Sequence, residues 1–145
     1  SRLRFLGYCD ALASQGLPVR EEYVCAGNWT WDSGYQRALD LWALPERPTA
    51  IFCANDNMAL GALCALRGQG ALVPEDVSLL GFDDIPAAMH SLPPLSTVRQ
   101  PTRQMVQTAF DLLLRAMRGA EEGISSQLLP TELVLRGSCV PPRDR

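Results

Sequence analysis

Residues 49–60, TAIFCANDNMAL, pass from a short apolar segment into a polar cluster that can cap a helix. A second apolar segment, residues 77–82, leads into the pair Asp83-Asp84. Each apolar segment has the length of a buried strand, so each polar cluster lies where a strand gives way to a loop or helix. Ligands bind beyond the carboxyl ends of the strands in open α/β sheets. The two clusters therefore predict a small-molecule pocket at one edge of a sheet.

Helices and strands alternate along the chain before Asp84. The predicted strands cover residues 22–26, 49–54 and 77–82, and the first predicted helix covers residues 1–14. A second helix is capped by Asp32 or Ser33 and ended by the prolines at 45 and 48. A third helix is capped by Asn55 or Asp56 and runs to Arg67. Such alternation implies parallel pairing with right-handed crossovers. We therefore predict an α/β fold in which helices flank a parallel sheet.

The pattern changes after Asp84. The sequence predicts a short helix over 86–91, a strand over 96–100, a long helix that begins at Pro101 and ends near Arg118, and an extended run over 128–135. The long helix carries an apolar stripe formed by Met105, Ala109, Leu112, Leu113 and Ala116.

The composition is that of one soluble globular domain, with 145 residues, 47% of them hydrophobic and 20% charged. A net charge of -3 gives no electrostatic footprint for nucleic acid. No apolar run is long enough to cross a membrane. We expect no secretory signal, because residue 1 is not followed by the charged and then apolar layout of one. The five cysteines include no C-x-x-C pair, and they suit a reducing cytoplasm. We expect Cys53 and Cys64 to be small core residues.

Enzymatic motifs are weak in this sequence. No serine lies in a G-x-S-x-G elbow, and Gly68-Gln69-Gly70 follows a predicted helix where a dinucleotide loop would precede one. Asp83 and Asp84 could be paired carboxylates of a glycosidase, but adjacent residues on an extended chain point apart. With a single histidine, His90, a zinc site is also unexpected. We predict no catalytic activity, no cofactor and no metal.

Several phrases of the sequence, in this order and spacing, resemble the effector-binding part of the lactose/galactose repressor family of bacterial transcription regulators. They are RFLGY (4–8), PTAIF (48–52), ANDNMALG (54–61), VPEDVS (73–78), GFDD (81–84), PPLSTV (93–98), LPTEL (129–133) and RGS (136–138). Each phrase is weak alone, but together they span almost the whole chain. The resemblance implies a periplasmic-binding-protein-like fold and an effector-sensing, dimerising function.

The resemblance also divides the chain. It assigns residues 1–95 to the second lobe of the effector-binding domain, 96–127 to a crossover strand and helix of the first lobe, and 128–145 to a return strand and tail. Family members bind operator DNA through an N-terminal helix-turn-helix, which this sequence lacks, so the sequence is expected to be a fragment of a longer regulator. The alternative is a fragment of a periplasmic sugar-binding protein, which shares the two-lobe fold.

By the same resemblance, the residues expected to bind a sugar-like effector are Arg4, Trp29, Asn55 and Asp83. Guanidinium, carboxylate and amide groups suit a polyhydroxylated ligand, and an aromatic ring suits its apolar face. Simpler explanations stay open, because Asn55 can be only a helix cap, Asp83 only a turn residue and Trp29 only a core residue.

The resemblance further implies a homodimer. The expected contacts are Leu60, Leu63, Cys64, Met89 and His90. Because the first lobe is almost wholly outside this sequence, we also expect the long helix over 101–118 to lack its usual partner. It would then swing away from its family position or exchange with a second copy.

Overall fold

The computed structural model describes residues 2–118 and 126–141. The helices in these ranges are α1 (Arg2–Ser14), α2 (Trp31–Trp42), α3 (Asp56–Gly68), α4 (Pro86–His90) and α5 (Thr102–Met117). The strands are β1 (Ala50–Phe52), β2 (Ser78–Asp83), β3 (Ser96–Arg99) and β4 (Glu132–Val134).

The four strands form one sheet in the order β1-β2-β3-β4. β1, β2 and β3 are parallel, and β4 pairs antiparallel with β3. The carboxyl ends of the first three strands therefore meet at one edge of the sheet. This confirms the predicted α/β fold with a mostly parallel sheet flanked by helices.

The core lies between α3, α2 and the sheet. Eight of the 13 residues of α3 are buried, and Leu66 on α3 and Leu79 on β2 are fully enclosed. Two glycines allow α2 and α3 to touch through their backbones. A Cβ at Gly34 would lie 2.0 Å from the carbonyl oxygen of Met58, and one at Gly61 would lie 2.1 Å from that of Trp31. No larger residue fits at either crossing point.

Helix α3 begins as the sequence predicts, because Asn55 caps it by accepting a hydrogen bond from the Met58 amide. Helix α2 begins earlier than predicted. Its cap is Thr30, whose hydroxyl accepts from the amide of Ser33, so the prediction of Asp32 or Ser33 as the cap is wrong. All three are short polar residues with capping ability, and local sequence does not rank them.

The strand predicted over 22–26 is wrong. A 3-10 helix, Glu21–Tyr23, stands at its start, and none of its residues joins the sheet. Ion pairs from Arg20 to Glu22 and Glu46 hold this turn, while the Tyr23 hydroxyl donates to the backbone carbonyl of Glu46. Local turn bonds and side-chain anchors thus take the place of strand pairing.

The two cysteines predicted to lie in the core, Cys53 and Cys64, differ in burial. Cys53 is buried beside β1, and burial raises the pKa of its thiol to about 12. Cys64 is exposed on α3, so its prediction as a core residue is wrong. The apolar run around Cys64 continues over the solvent-facing side of the helix, which periodicity alone does not show.

Helices α1 and α5 have no buried residue. The predicted stripe of α5 lies largely open, with Met105 44% and Leu113 55% exposed. Within the described residues, no other part of this chain covers the stripe, and the exchange of this helix with a second copy stays a prediction. β3 pairs with β2 over four residues, so the sheet continues across the lobe boundary expected at residue 95. The segment 119–125 of the expected crossover and the end of the expected tail, 142–145, lie outside the described residues.

Candidate effector-binding site

The carboxyl edge of the sheet gathers polar side chains from successive elements. Asn55 follows β1, Asp83 ends β2 and Gln100 follows β3. Helix α1 brings Arg4 to the same edge, and the loop before α2 brings Trp29. Contacts between these side chains show that five separate parts of the chain converge here.

The Asp83 carboxylate is the acceptor of this cluster. Gln100 Nε2 donates to its Oδ1 at 2.6 Å, and Arg4 Nη2 lies 3.6 Å from the same oxygen. The Asp83 side chain keeps 32% of its surface exposed. An incoming hydroxyl can therefore reach a carboxylate whose position is already fixed by two neighbours.

Arg4 is held in place by a ring and a carbonyl. Its guanidinium carbon lies 3.7 Å from the centroid of the Phe82 ring and 5.4 Å from that of Trp29. Its Nη1 also donates to the backbone carbonyl of Ala54. Stacking on an aromatic face orients a guanidinium while its edge stays free to donate. Arg4 thus places donors beside the Asp83 acceptor.

Asn55 and Trp29 are joined directly. Asn55 Nδ2 donates to the backbone carbonyl of Trp29 at 3.0 Å, while Asn55 Oδ1 caps α3. Asn55 is 7% exposed, whereas Trp29 is 44% exposed. The structure therefore shows the helix-cap role of Asn55, and it shows that Trp29 is not a buried core residue.

Asp84 points away from this cluster. Its carboxylate accepts from Arg99 Nε and Arg136 Nη2, each at 2.6 Å. Burial alone would raise the pKa of Asp84, but the hydrogen bonds from the two arginines outweigh it and lower the pKa from its ordinary value. Asp83 and Asp84 consequently face different surroundings and do not form a carboxylate pair. The reason is not the extended backbone that the sequence suggested, because the φ angles of Asp83 and Asp84 are 114° and 58°.

Beneath the cluster lies Asp56, which is fully buried. Its carboxylate accepts from the Thr97 hydroxyl at 2.6 Å and from the Ile85 amide at 2.9 Å. Burial raises the pKa of Asp56, and these hydrogen bonds only partly oppose the shift. A Cβ at Gly81 would lie 2.1 Å from Asp56 Oδ1, so glycine makes room for the carboxylate. Asp56 ties α3 to Thr97 on β3 and to the loop that follows β2, and so fixes the edge on which the site stands.

Sequence reasoning missed two residues of this cluster. Gln100 is the last residue of the strand predicted over 96–100, and it directly follows the observed strand β3, as Asp83 and Asn55 stand at the ends of the two strands before it. A polar residue at the end of a predicted strand is the signal that could have revealed it. Phe82 lies inside an apolar run, where a ring that supports Arg4 looks the same as a core residue.

Comparison with known proteins supplies the family. Residues 1–139 match the model of the periplasmic binding protein-like domain. The chain belongs to this family. Its relatives and structural neighbours are repressors and regulators of the LacI type, so the periplasmic sugar-binding alternative is not favoured.

Three similar proteins illustrate the relationship. The HTH-type transcriptional repressor CytR of Escherichia coli (strain K12) is 42% identical over 135 residues, which are 93% of this chain and 40% of CytR. A transcriptional regulator CelR–cellobiose complex has a TM-score of 0.88 and 38% identity over 93% of this chain and 41% of that one. The lac repressor dimer bound to operator and the anti-inducer ONPF has a TM-score of 0.85 and 34% identity over 97% of this chain and 48% of that one.

The chain thus spans about two fifths of the length of the curated relatives that it matches. Those relatives are transcriptional repressors rather than enzymes. Within the residues that the structure describes, no cluster of histidine, cysteine or acidic side chains is arranged to hold a metal ion. In the same part of the chain, no helix is both long and apolar enough to cross a membrane.

The side chains that the family resemblance assigns to a dimer contact fall into two groups. Cys64, Met89 and His90 are exposed, and Leu60 is half-buried, so the side chains of these four residues lie at the surface of this chain. Leu63 is 5% exposed and belongs to the core of its own chain. It therefore offers almost no surface for a partner, because it faces inward from α3.

Proposed function

We propose that this chain is the effector-sensing and dimerising part of a bacterial transcription repressor whose effector is a sugar or a sugar-like polyhydroxylated compound. One observation carries the proposal. Arg4, Asp83 and Gln100 form a connected donor–acceptor cluster at the carboxyl edge of the sheet, beside the half-open ring of Trp29.

The chemistry of the cluster suits hydroxyl groups. A carboxylate accepts from hydroxyls, while the guanidinium and the amide donate to them. The exposed ring of Trp29 offers an apolar surface to the C–H face of a sugar ring. We place the effector against Arg4, Trp29 and Asp83, with Asn55 directly behind Trp29. Nothing in this arrangement requires a nucleophile, a metal or a cofactor, so we propose a binding role and no catalysis.

The remaining partners follow from the family. We propose that two copies associate through Leu60, Cys64, Met89 and His90 of α3 and α4. Operator DNA would be bound by a separate DNA-binding domain, since a net charge of -3 does not favour binding of this chain to phosphates. Such a repressor would work in the cytoplasm.

Titration calorimetry tests the effector class. The panel comprises D-glucose, D-ribose, cellobiose and adenosine, each added to the full-length protein and to this chain alone. We expect at least one member to bind the full-length protein. Binding to this chain alone should be much weaker, because an effector enclosed on one side buries only part of its surface.

Asp83→Asn is the decisive variant. It should weaken binding of that ligand roughly ten-fold or more, because hydrogen bonds to a charged group are worth about 1.5–3 kcal/mol. Glu75→Gln removes one charge from an exposed carboxylate elsewhere and should leave the affinity unchanged. Unaltered affinity in Asp83→Asn would place the effector somewhere else.

A further inference from the structure

The turn that follows β2 has a backbone conformation that is unusual for residues with a side chain. The φ angles of Asp83 and Asp84 are 114° and 58°, in the left-handed region that residues with a Cβ rarely adopt. Residues in such conformations persist only where the surrounding structure holds them there, and they concentrate at functional sites. Since Asp83 carries the acceptor of the candidate site, the direction of its carboxylate depends on what holds this turn.

The two amides that follow Asp83 are both tied to one buried carboxylate. The Ile85 amide donates directly to Asp56 Oδ2 at 2.9 Å. The Asp84 amide donates to Thr97 Oγ1 at 3.4 Å, and this hydroxyl donates in turn to Asp56 Oδ1 at 2.6 Å. Asp56 therefore reaches the turn by two routes, one direct and one through a hydroxyl.

Asp56 is well suited to anchor this turn. Neither Asp56 nor Thr97 has any exposed surface, and Asp56 stands in the first turn of α3, in which eight of 13 residues are buried. Water cannot reach such a carboxylate, so each of its oxygens needs a donor from the protein. A displaced turn would leave a buried oxygen without its donor, which is costly. The same bonds that satisfy Asp56 thus fix the place of the turn.

We infer that Asp56 is a positioning residue, which together with Thr97 holds the turn after β2 and thereby aims the Asp83 carboxylate at the effector. Arg4 and Gln100 hold the side chain of Asp83, whereas Asp56 and Thr97 hold the backbone from which that side chain projects. Because Asp56 is fully buried, it acts through Asp83 and not by touching the effector. The inference deepens the proposed function and rests on it for the effect on affinity, but the anchored turn exists in the protein without a ligand.

The anchored turn can be tested in this chain without any ligand. Thr97→Val keeps the size of the side chain but removes the hydroxyl that links the Asp84 amide to Asp56. We expect the backbone order parameters of Asp83 and Asp84, measured by NMR relaxation, to fall from about 0.85 to about 0.6, the change from rigid to flexible backbone. Thr97→Ser is the matched control. It keeps the hydroxyl, so the order parameters should stay near those of the parent, and equal loosening in both variants would overturn the inference.

A second variant changes the anchor itself. Asp56→Asn keeps the size of the side chain but offers one oxygen where two donors need one each, so one of the two ties to the turn is lost. The order parameters of the turn should fall, while the circular dichroism spectrum stays that of the parent chain. Asp76→Asn is the same change at an exposed carboxylate that also accepts a backbone amide, that of Leu72, and it should leave the turn unchanged. If Thr97→Val and Asp56→Asn both fold and the turn stays as ordered as in the parent, the inference is wrong.

A double-mutant cycle separates action through Asp83 from a general loss of stability. The affinity of the full-length protein for the tightest-binding member of the sugar and nucleoside panel is measured for Thr97→Val, Asp83→Asn and the double variant. If the turn acts through Asp83, Thr97→Val weakens binding at least about two-fold in the parent and has no further effect in Asp83→Asn. An equal loss in both backgrounds would contradict action through Asp83. If no panel member binds, the proposed function is in doubt, and the order parameters still decide whether Asp56 and Thr97 hold the turn.

Discussion

Helices α3 and α5 are of similar length, and both carry apolar side chains at helical spacing, yet α3 is largely buried and α5 is not. Eight residues of α3 are buried, whereas none of the 16 residues of α5 is. Helix α3 lies between α2 and the sheet, and glycines at the crossing allow close contact. Among the described residues, helix α5 has no such neighbour. A periodic apolar stripe thus predicts a helix, but its contribution to stability depends on what covers it.

The contrast matters for the site because the site draws on both kinds of region. Asn55 and Asp56 stand at the start of α3, in the rigid core. Arg4 lies on α1, which has no buried residue, and it is held there by its contacts with Phe82, Ala54 and Asp83. The part of the site that stands on α3 is therefore preorganised, while the donor Arg4 lies on a helix with little packing of its own.

The largest difference is expected between two matched leucine substitutions. Leu66→Ala on α3 should cost about 2–5 kcal/mol of unfolding free energy, because it leaves a cavity in a fully packed core. Leu113→Ala on α5 should cost less than about 0.5 kcal/mol, since Leu113 is 55% exposed. Urea denaturation of both variants measures the contrast. Equal losses would mean that α5 is covered in solution.

Hydrogen exchange should show the same contrast along the backbone. Amides in the middle of α3 should open only with global unfolding, whereas those of α1 and α5 should exchange through local opening, because few buried contacts oppose it. Mass spectrometry of peptides covering each helix resolves them. Protection of α5 equal to that of α3 would contradict the comparison and point to a partner in solution.

Self-association sharpens the comparison further. Met89→Glu places a charge on the proposed α3–α4 contact surface and should shift the dimer toward monomer, as followed by light scattering over a range of concentrations. Leu113→Glu is the matched control on α5 and should leave the association unchanged. The reverse pattern would show that copies associate through α5, as exchange of that segment requires.

The smallest expected effect concerns the hydrogen bonds of Asp84 to Arg99 and Arg136. The pKa of Asp84 is lowered in the folded state, so its contribution to stability is present above the ordinary carboxyl pKa. That contribution is lost as the pH falls through the lowered folded value. Asp84→Asn should therefore be less stable than the parent at neutral pH, with the difference shrinking in acid. Denaturation of the parent and of Asp84→Asn at several pH values tests this. If the difference in unfolding free energy grew in acid, the hydrogen bonds of Asp84 would not stabilise the folded state in the way described.

The elements that sequence predicted well have strong local signals. Asn55 begins α3 because a short polar side chain can accept from an amide three residues on, and the turn after α3 contains Gly70 at a φ of 76°. The wrong predictions lie where the local sequence was compatible with more than one structure. Thr30 rather than Asp32 caps α2, and the 22–26 segment turns where its composition allowed a strand.

The sequence by itself determined which polar residues follow which strands, and hence that Asn55 and Asp83 come to one edge of a parallel sheet. The tertiary structure decided what those residues do there. It turned Asp83 toward Arg4 and Asp84 toward Arg136, directed the Asn55 amide at Trp29, added Gln100, and left α5 uncovered. The physical reason is the distance along the chain over which each interaction acts. Capping and periodicity act within a few residues, whereas the partner of a side chain depends on which distant surfaces the folded chain brings together.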